Sequence, residues 1–132
     1  MLTISFEVSA VLPGTPKILY AAWLNSAQHS AMTGGTAKVS DKVGESFTAW
    51  DGYISGKNVA LEPGKRILQK WRTAEFAEDE PDSELEIFFE AHKEGTLVTI
   101  HHSNLPPHGM QYKQGWVDNY FEPMKSYFQT GS

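Results

Sequence analysis

Apolar side chains fall on every second position over two well-separated stretches of the chain. In residues 3–11, Ile4, Phe6 and Val8 alternate with Ser5, Glu7 and Ser9. In residues 83–92, Leu85, Ile87 and Phe89 alternate with Glu84, Glu86 and Glu90. A period of two predicts strands with one buried and one wet face. Phe88 sits with the glutamates and breaks the pattern, so it is expected to cover a sheet edge or a pocket mouth. Further strands are predicted over 37–40, 46–50, 53–61, 66–73 and 96–103. Asp51-Gly52, Pro63-Gly64, Pro81-Asp82 and Glu94-Gly95 punctuate them as turns.

Elsewhere the period changes to that of a helix. Pro13-Gly14 ends the first strand, and Thr15 is placed to cap a helix with Pro16 at its first position, where a missing N–H costs nothing. Ile18, Leu19, Ala22 and Trp23 recur at helical spacing up to Leu24. Ser26 is read as the cap of a second short helix, which Gly34-Gly35 stops. After Pro106-Pro107, Met110, Lys113, Trp116, Val117, Tyr120, Phe121, Met124, Tyr127 and Phe128 form one broad stripe of a long final helix. Pro123 lies inside it and is expected to kink it, because it cannot donate to the carbonyl of Asn119.

The order is strand, two short helices, a run of antiparallel strands and a long helix. That order predicts a single α+β domain over residues 1–132. About six to seven curved strands would wrap around the C-terminal helix, because a sheet of that size must cover its inner face. A curved sheet gripping a helix also tends to leave a cavity between them.

Composition narrows the function classes. The chain of 132 residues has 40% hydrophobic and 20% charged positions, as soluble globular domains do. It has no cysteine, which excludes disulfide and thiolate chemistry. No apolar run approaches the ~20 residues of a membrane span. The first residues show no basic region ahead of an apolar stretch, so a cytoplasmic location is expected. The net charge of −5 argues against nucleic acid and anionic membranes as partners. The one dense basic group, Lys65, Arg66, Lys70 and Arg72, is followed at once by Glu75, Glu78, Asp79, Glu80 and Asp82.

A series of motifs carries a resemblance. It runs Phe47-Thr48-Ala49-Trp50-Asp51-Gly52, Leu61-Glu62-Pro63-Gly64-Lys65-Arg66-Ile67, Lys70-Trp71-Arg72, His102-Ser103-Asn104-Leu105-Pro106, and Gly115-Trp116 through Tyr120-Phe121. In this order the chain resembles the helix-grip superfamily of START-like, birch-pollen-allergen-like domains. Within it, the chain is similar to the AHSA-type branch, named for the C-terminal domain of the activator of the ninety-kilodalton heat-shock chaperone's ATPase. The resemblance implies a helix-grip fold and a stress-response setting. It also implies a stand-alone, bacterial-type version, since the co-chaperone's N-terminal domain has no counterpart in these residues.

Candidate site residues follow from both readings. Trp50, Tyr53, Trp71, His102, Trp116 and Tyr120 are expected to line a ligand cavity, with core filling as the alternative for the tryptophans. His101 and His102 are adjacent on a strand and must point to opposite faces. His102 lies in the stretch that matches the family and is the candidate general base; the alternative is a hydrogen-bonded strand histidine. No metal-ligand spacing, phosphate loop or nucleophile elbow appears, so no metal or cofactor is expected. Arg66, Lys70 and Arg72 share a strand parity and could present a basic stripe to an acidic partner. Three functions stay open. They are a module binding a small hydrophobic or amphipathic molecule, a chaperone-interaction domain, and an enzyme using the same cavity. The chain is expected as a monomer or a homodimer.

Overall fold

The computed structural model describes residues 3–129. Strand β1 (Ile4–Leu12) is followed by helices α1 (Pro16–Trp23) and α2 (Ser26–Thr33). Strands β2 (Ser46–Ala49), β3 (Ile54–Glu62), β4 (Arg66–Thr73), β5 (Ser83–His92) and β6 (Gly95–Leu105) come next. A helical segment closes the described chain: a 3-10 turn (Pro107–Met110), α3 (Gln111–Trp116), a π-helical stretch (Val117–Phe121) and α4 (Glu122–Gln129). The six strands form one sheet in the order β1-β6-β5-β4-β3-β2, every neighbouring pair antiparallel. This is the helix-grip α+β architecture expected from the sequence. Among the described residues no helix is long and apolar enough to cross a membrane.

The alternation in β5 has the predicted outcome. Leu85, Ile87 and Phe89 are buried, while Glu84 and Glu90 are exposed. Phe88 lies half-buried on the outer face, in register with Arg66 and Thr99, and so covers neither an edge nor a cavity. The inner face packs Phe6, Leu12, Ile67, Leu85, Ile87, Phe89, Val98 and Ile100 against the helices. Two bulges, at Ile4/Phe6 in β1 and at Asn58/Ala60 in β3, break the ladder registers and bend those strands.

Three local expectations need correction. Residues 37–40 form no strand; Lys38 makes an isolated antiparallel bridge with Thr48, and the chain leaves the sheet on either side. The second helix is capped by Asn25, whose Oδ1 accepts from the Gln28 N–H at 3.0 Å. Ser26 is its first residue, and its hydroxyl instead joins the helix to Val39, accepting from that N–H at 2.9 Å. The final helix is not uniform. The Glu122 N–H bonds to the carbonyl of Val117, five residues back, so one extra residue is taken up just ahead of Pro123. The disturbance expected at Pro123 is thus met by a π-helical stretch before it. Thr15 does cap α1, accepting from the Ile18 N–H at 3.2 Å.

Candidate functional site

The helical segment crosses the mouth of the curved sheet with Tyr112, Trp116 and Tyr120 four residues apart, on one face. Opposite them stand Trp71 from β4, Ile54 from β3, and Trp50 and Tyr53 from the β2–β3 turn. Together with Gln111, Gly115 and Asn119 they line a cavity of about 340 Å³. That lies at the lower end of the range for small-molecule sites. Tyr53, 38% exposed, and the exposed Gln111 and Asn119 mark its mouth.

The β2–β3 turn is built for this position. Trp50 and Asp51 both adopt left-handed backbone, with φ of 53° and 58°. A non-glycine residue held there is strained, and such strain clusters at functional sites. The Asp51 N–H donates to the Thr36 carbonyl at 2.9 Å and ties the turn to the loop after α2. The indole of Trp50 lies against Gly35; a Cβ there would come 2.4 Å from the ring.

Beneath the cavity the aromatic rings are fixed by directed hydrogen bonds. An indole N–H can only donate, so Nδ1 of His102 accepts from Trp116 Nε1 at 3.1 Å. The proton of His102 therefore sits on Nε2 and is donated to Ser83 Oγ, 2.8 Å away. Ser83 in turn donates to the carbonyl of Trp71 at 2.7 Å. The chain of bonds runs Trp116, His102, Ser83, Trp71, and closes on the two tryptophans of the cavity wall. His102 itself is fully buried behind those rings and does not line the cavity. Burial, aided by the neighbouring His101, pushes its pKa from 6.5 down to about 3.

This geometry decides between the two readings of His102. A serine beside a histidine suggests a nucleophile and its base. Here the bond points the other way: the histidine donates to the serine, and the serine hydrogen is committed to a backbone carbonyl. His102 holds Trp116 and Trp71 in place and has no free lone pair to take a proton. His101 points outward, as adjacent strand residues must, with Nδ1 3.9 Å from Glu86 Oε1.

A second histidine plays a parallel part on the other side of the cavity. His29 donates from Nδ1 to the Trp23 carbonyl and accepts at Nε2 from the Tyr120 hydroxyl, both at 2.8 Å. Burial lowers its pKa, although the backbone bond opposes this. Burial likewise pushes the Tyr120 phenol well above its ordinary value, so it stays a donor. Trp23 stacks on Tyr120 with ring centroids 4.8 Å apart.

At the mouth, Tyr112 and Thr73 share a hydrogen bond of 2.6 Å. The Tyr53 hydroxyl donates to the carboxylate of Glu75. Burial and that carboxylate raise the Tyr53 phenol far above 10.0, and burial raises Tyr112 too. Phe76 lies against Trp71 and Tyr112 at the back. Its loop is held by Arg72, which donates to Asp82 and to the carbonyls of Glu80 and Ala77 at 2.9–3.1 Å.

Of the expected cavity residues, Trp50, Tyr53, Trp71, Trp116 and Tyr120 lie around the cavity, and His102 lies behind it. Sequence reasoning missed Gln111, Gly115 and Asn119, whose i, i+4, i+8 spacing marks one polar or small-residue edge beside the aromatic stripe. It also missed Glu75, Ser83 and His29, which reach the site only through tertiary contacts. Of the basic stripe, Arg66 is paired with Glu62 and Glu86, and Arg72 with Asp82. Lys70 is exposed, in register between Lys57 and Glu84.

Residues 14–129 match the family described as Activator of Hsp90 ATPase homolog 1-like protein. The chain is 28% identical over 118 residues to the human Activator of 90 kDa heat shock protein ATPase homolog 1, covering 89% of this chain and 35% of that protein. The Dictyostelium discoideum activator is 27% identical over 120 residues, 89% of this chain and 31% of its own. The chain thus spans about a third of the length of these relatives. Among solved structures, an HSP90 activator from Plasmodium falciparum superposes with a TM-score of 0.85 at 24% identity, over 96% of both chains. The Aha1 dimer from Colwellia psychrerythraea gives 0.77 at 17% identity, over 100% of this chain and 99% of that one. At such identities the likeness is one of fold.

Proposed function

Since the chain belongs to the family of Activator of Hsp90 ATPase homolog 1-like proteins, we propose that it is a domain of that type which binds a small hydrophobic or amphipathic molecule between its sheet and its C-terminal helix. The observation that carries this is the cavity of about 340 Å³ lined by three tryptophans and three tyrosines. Aromatic walls give a large contact area at small entropic cost. Two bond networks hold those walls, so little ordering remains to be done on binding.

The test is native mass spectrometry of protein purified from its own host, with extraction of whatever is bound. Thermal melts with a neutral bicyclic aromatic such as 2-methylnaphthalene form the second arm. A reproducible adduct or a rise in melting temperature is expected. Empty protein together with no shift across a panel of neutral aromatics of this size would overturn the reading.

A second reading is favoured by one observation, the match to relatives named as activators of the 90 kDa heat shock protein ATPase. On this reading the domain docks on the chaperone through its outer sheet face, with the exposed Lys70 beside Lys57 and with Arg66 and Arg72 exchanging partners. Stimulation of the cognate chaperone's ATPase is the measurement. Unchanged turnover at saturating protein would remove this reading. Native mass spectrometry also reports whether the chain is a monomer or a homodimer.

A further inference from the structure

We propose that the cavity selects cationic or hydrogen-bond-donating aromatic molecules over anionic ones. This rests on the cavity reading above and specifies its ligand class. The first observation is the lining. Trp50, Trp71, Trp116, Tyr53, Tyr112 and Tyr120 supply six electron-rich rings around one space. Ring faces carry negative electrostatic potential and attract organic cations within about 6 Å.

The second observation is charge. No Lys, Arg or His is among the lining residues. The Glu75 carboxylate stands at the mouth. It accepts from the Tyr53 hydroxyl and, at 3.5 Å, from the Gln111 amide, and both of those residues line the cavity. A carboxylate has about four lone-pair sites, so two bonds leave room for a ligand's N–H. Through the bond to Tyr53 and its charge near Tyr112 it opposes ionisation of both phenols at the mouth. An anionic headgroup would enter this field with no cation among the lining residues to meet it. A fatty acid or an aromatic carboxylate therefore fits poorly, and an aromatic amine or a quaternary aromatic ammonium fits well.

The third observation is the surroundings. Lys113 and Lys125 are the cations of α3 and α4; neither lines the cavity, and Lys125 is turned to Glu122 at 3.4 Å. Arg72 lies behind Phe76, spent on Asp82 and two carbonyls.

The experiment compares three bicyclic probes of similar size by calorimetry and by quenching of tryptophan fluorescence: 2-methylnaphthalene, N-methylquinolinium and 2-naphthoate. We expect the cation to bind about 10-fold tighter than the neutral probe, and the anion more weakly than either. In Glu75→Gln the preference for the cation over the neutral probe should fall to within about threefold. Glu75 is exposed, and this substitution keeps its size. Equal binding of cation and neutral probe, or tightest binding of the anion, would overturn the proposal while leaving the cavity reading intact. Failure of all three probes, with the protein from its own host found empty, would instead sink the cavity reading. A cation preference that survives Glu75→Gln unchanged would overturn the role given to the carboxylate.

Discussion

Trp116 hands its indole N–H to Nδ1 of His102 across 3.1 Å, tying the C-terminal helical segment to strand β6 beneath the cavity. Trp116→Phe keeps most of the ring but leaves a buried ring nitrogen without a partner. Stability should fall by roughly 1–3 kcal/mol, the cost of an unsatisfied buried acceptor. Urea unfolding monitored by circular dichroism measures this, and a loss below about 0.5 kcal/mol would show that the bond contributes little.

The same histidine sets a pH dependence. Its folded pKa is depressed, from 6.5 to about 3. The unfolded chain takes up a proton below 6.5 that the folded chain refuses. The folded state therefore keeps its full stability above 6.5 and loses it progressively as pH falls toward about 3. The slope is about 1.4 kcal/mol per pH unit for one such proton. His29, lowered by burial, adds in the same direction. Unfolding free energies measured from about pH 7.5 to about pH 5 isolate this region from the bulk of carboxylate titration. His102→Asn should flatten the slope, and an unaltered slope would refute the assignment.

Two adjacent glycines separate backbone from side-chain effects. Gly34 has φ of 87° and open space where a methyl would stand, whereas at Gly35 a Cβ would meet the Trp50 ring at 2.4 Å. Gly34→Ala should cost about 1 kcal/mol through backbone strain alone and leave probe binding unchanged. Gly35→Ala should cost roughly 1–3 kcal/mol through overpacking, displace Trp50 and weaken binding of 2-methylnaphthalene. Equal binding by both variants would show that Trp50 is not part of the working wall.

Arg72 spans the loop between β4 and β5 with three hydrogen bonds. Lysine keeps the charge but not the planar fork. Arg72→Lys should lose about 1–2 kcal/mol and expose residues 74–82 to protease, read by limited proteolysis. Cleavage at the original rate would argue that the loop is held by Phe76 instead.

The strands were legible where alternation was clean, as in β1 and β5, because a period of two fits little besides a strand with one face buried. The helices were legible from Thr15-Pro16 and from Gly34. Residues 37–40 misled because their apolar pattern was satisfied by packing around a single bridge at Lys38, not by a ladder. The cap at Asn25 was missed because Asn and Ser compete for the same job one residue apart. The aromatic members of the cavity could be read, since large rings at helical and strand spacing must converge somewhere. The supporting residues could not: Ser83 and His102 are 19 residues apart, and His29 and Tyr120 are 91 apart. Nothing local in the chain records which ring nitrogen carries the proton.

The extra residue absorbed between Val117 and Phe121 acts on the helix as a phase offset. In a regular helix each residue turns about 100°, so a spare one would rotate everything after it; the wider π-helical turn takes up that rotation. Tyr112 and Trp116 are aimed at the cavity by the first half, and Met124 is buried in the core by the second. The two halves are thus indexed independently, like two combs meshed with different rows of teeth. Forcing the regular repeat on this stretch with no residue removed would turn the last turns by about 100° relative to Tyr112 and Trp116. It would swing the Met124 side of the last turns out of the core, a change of orientation made without altering a single contact-forming side chain.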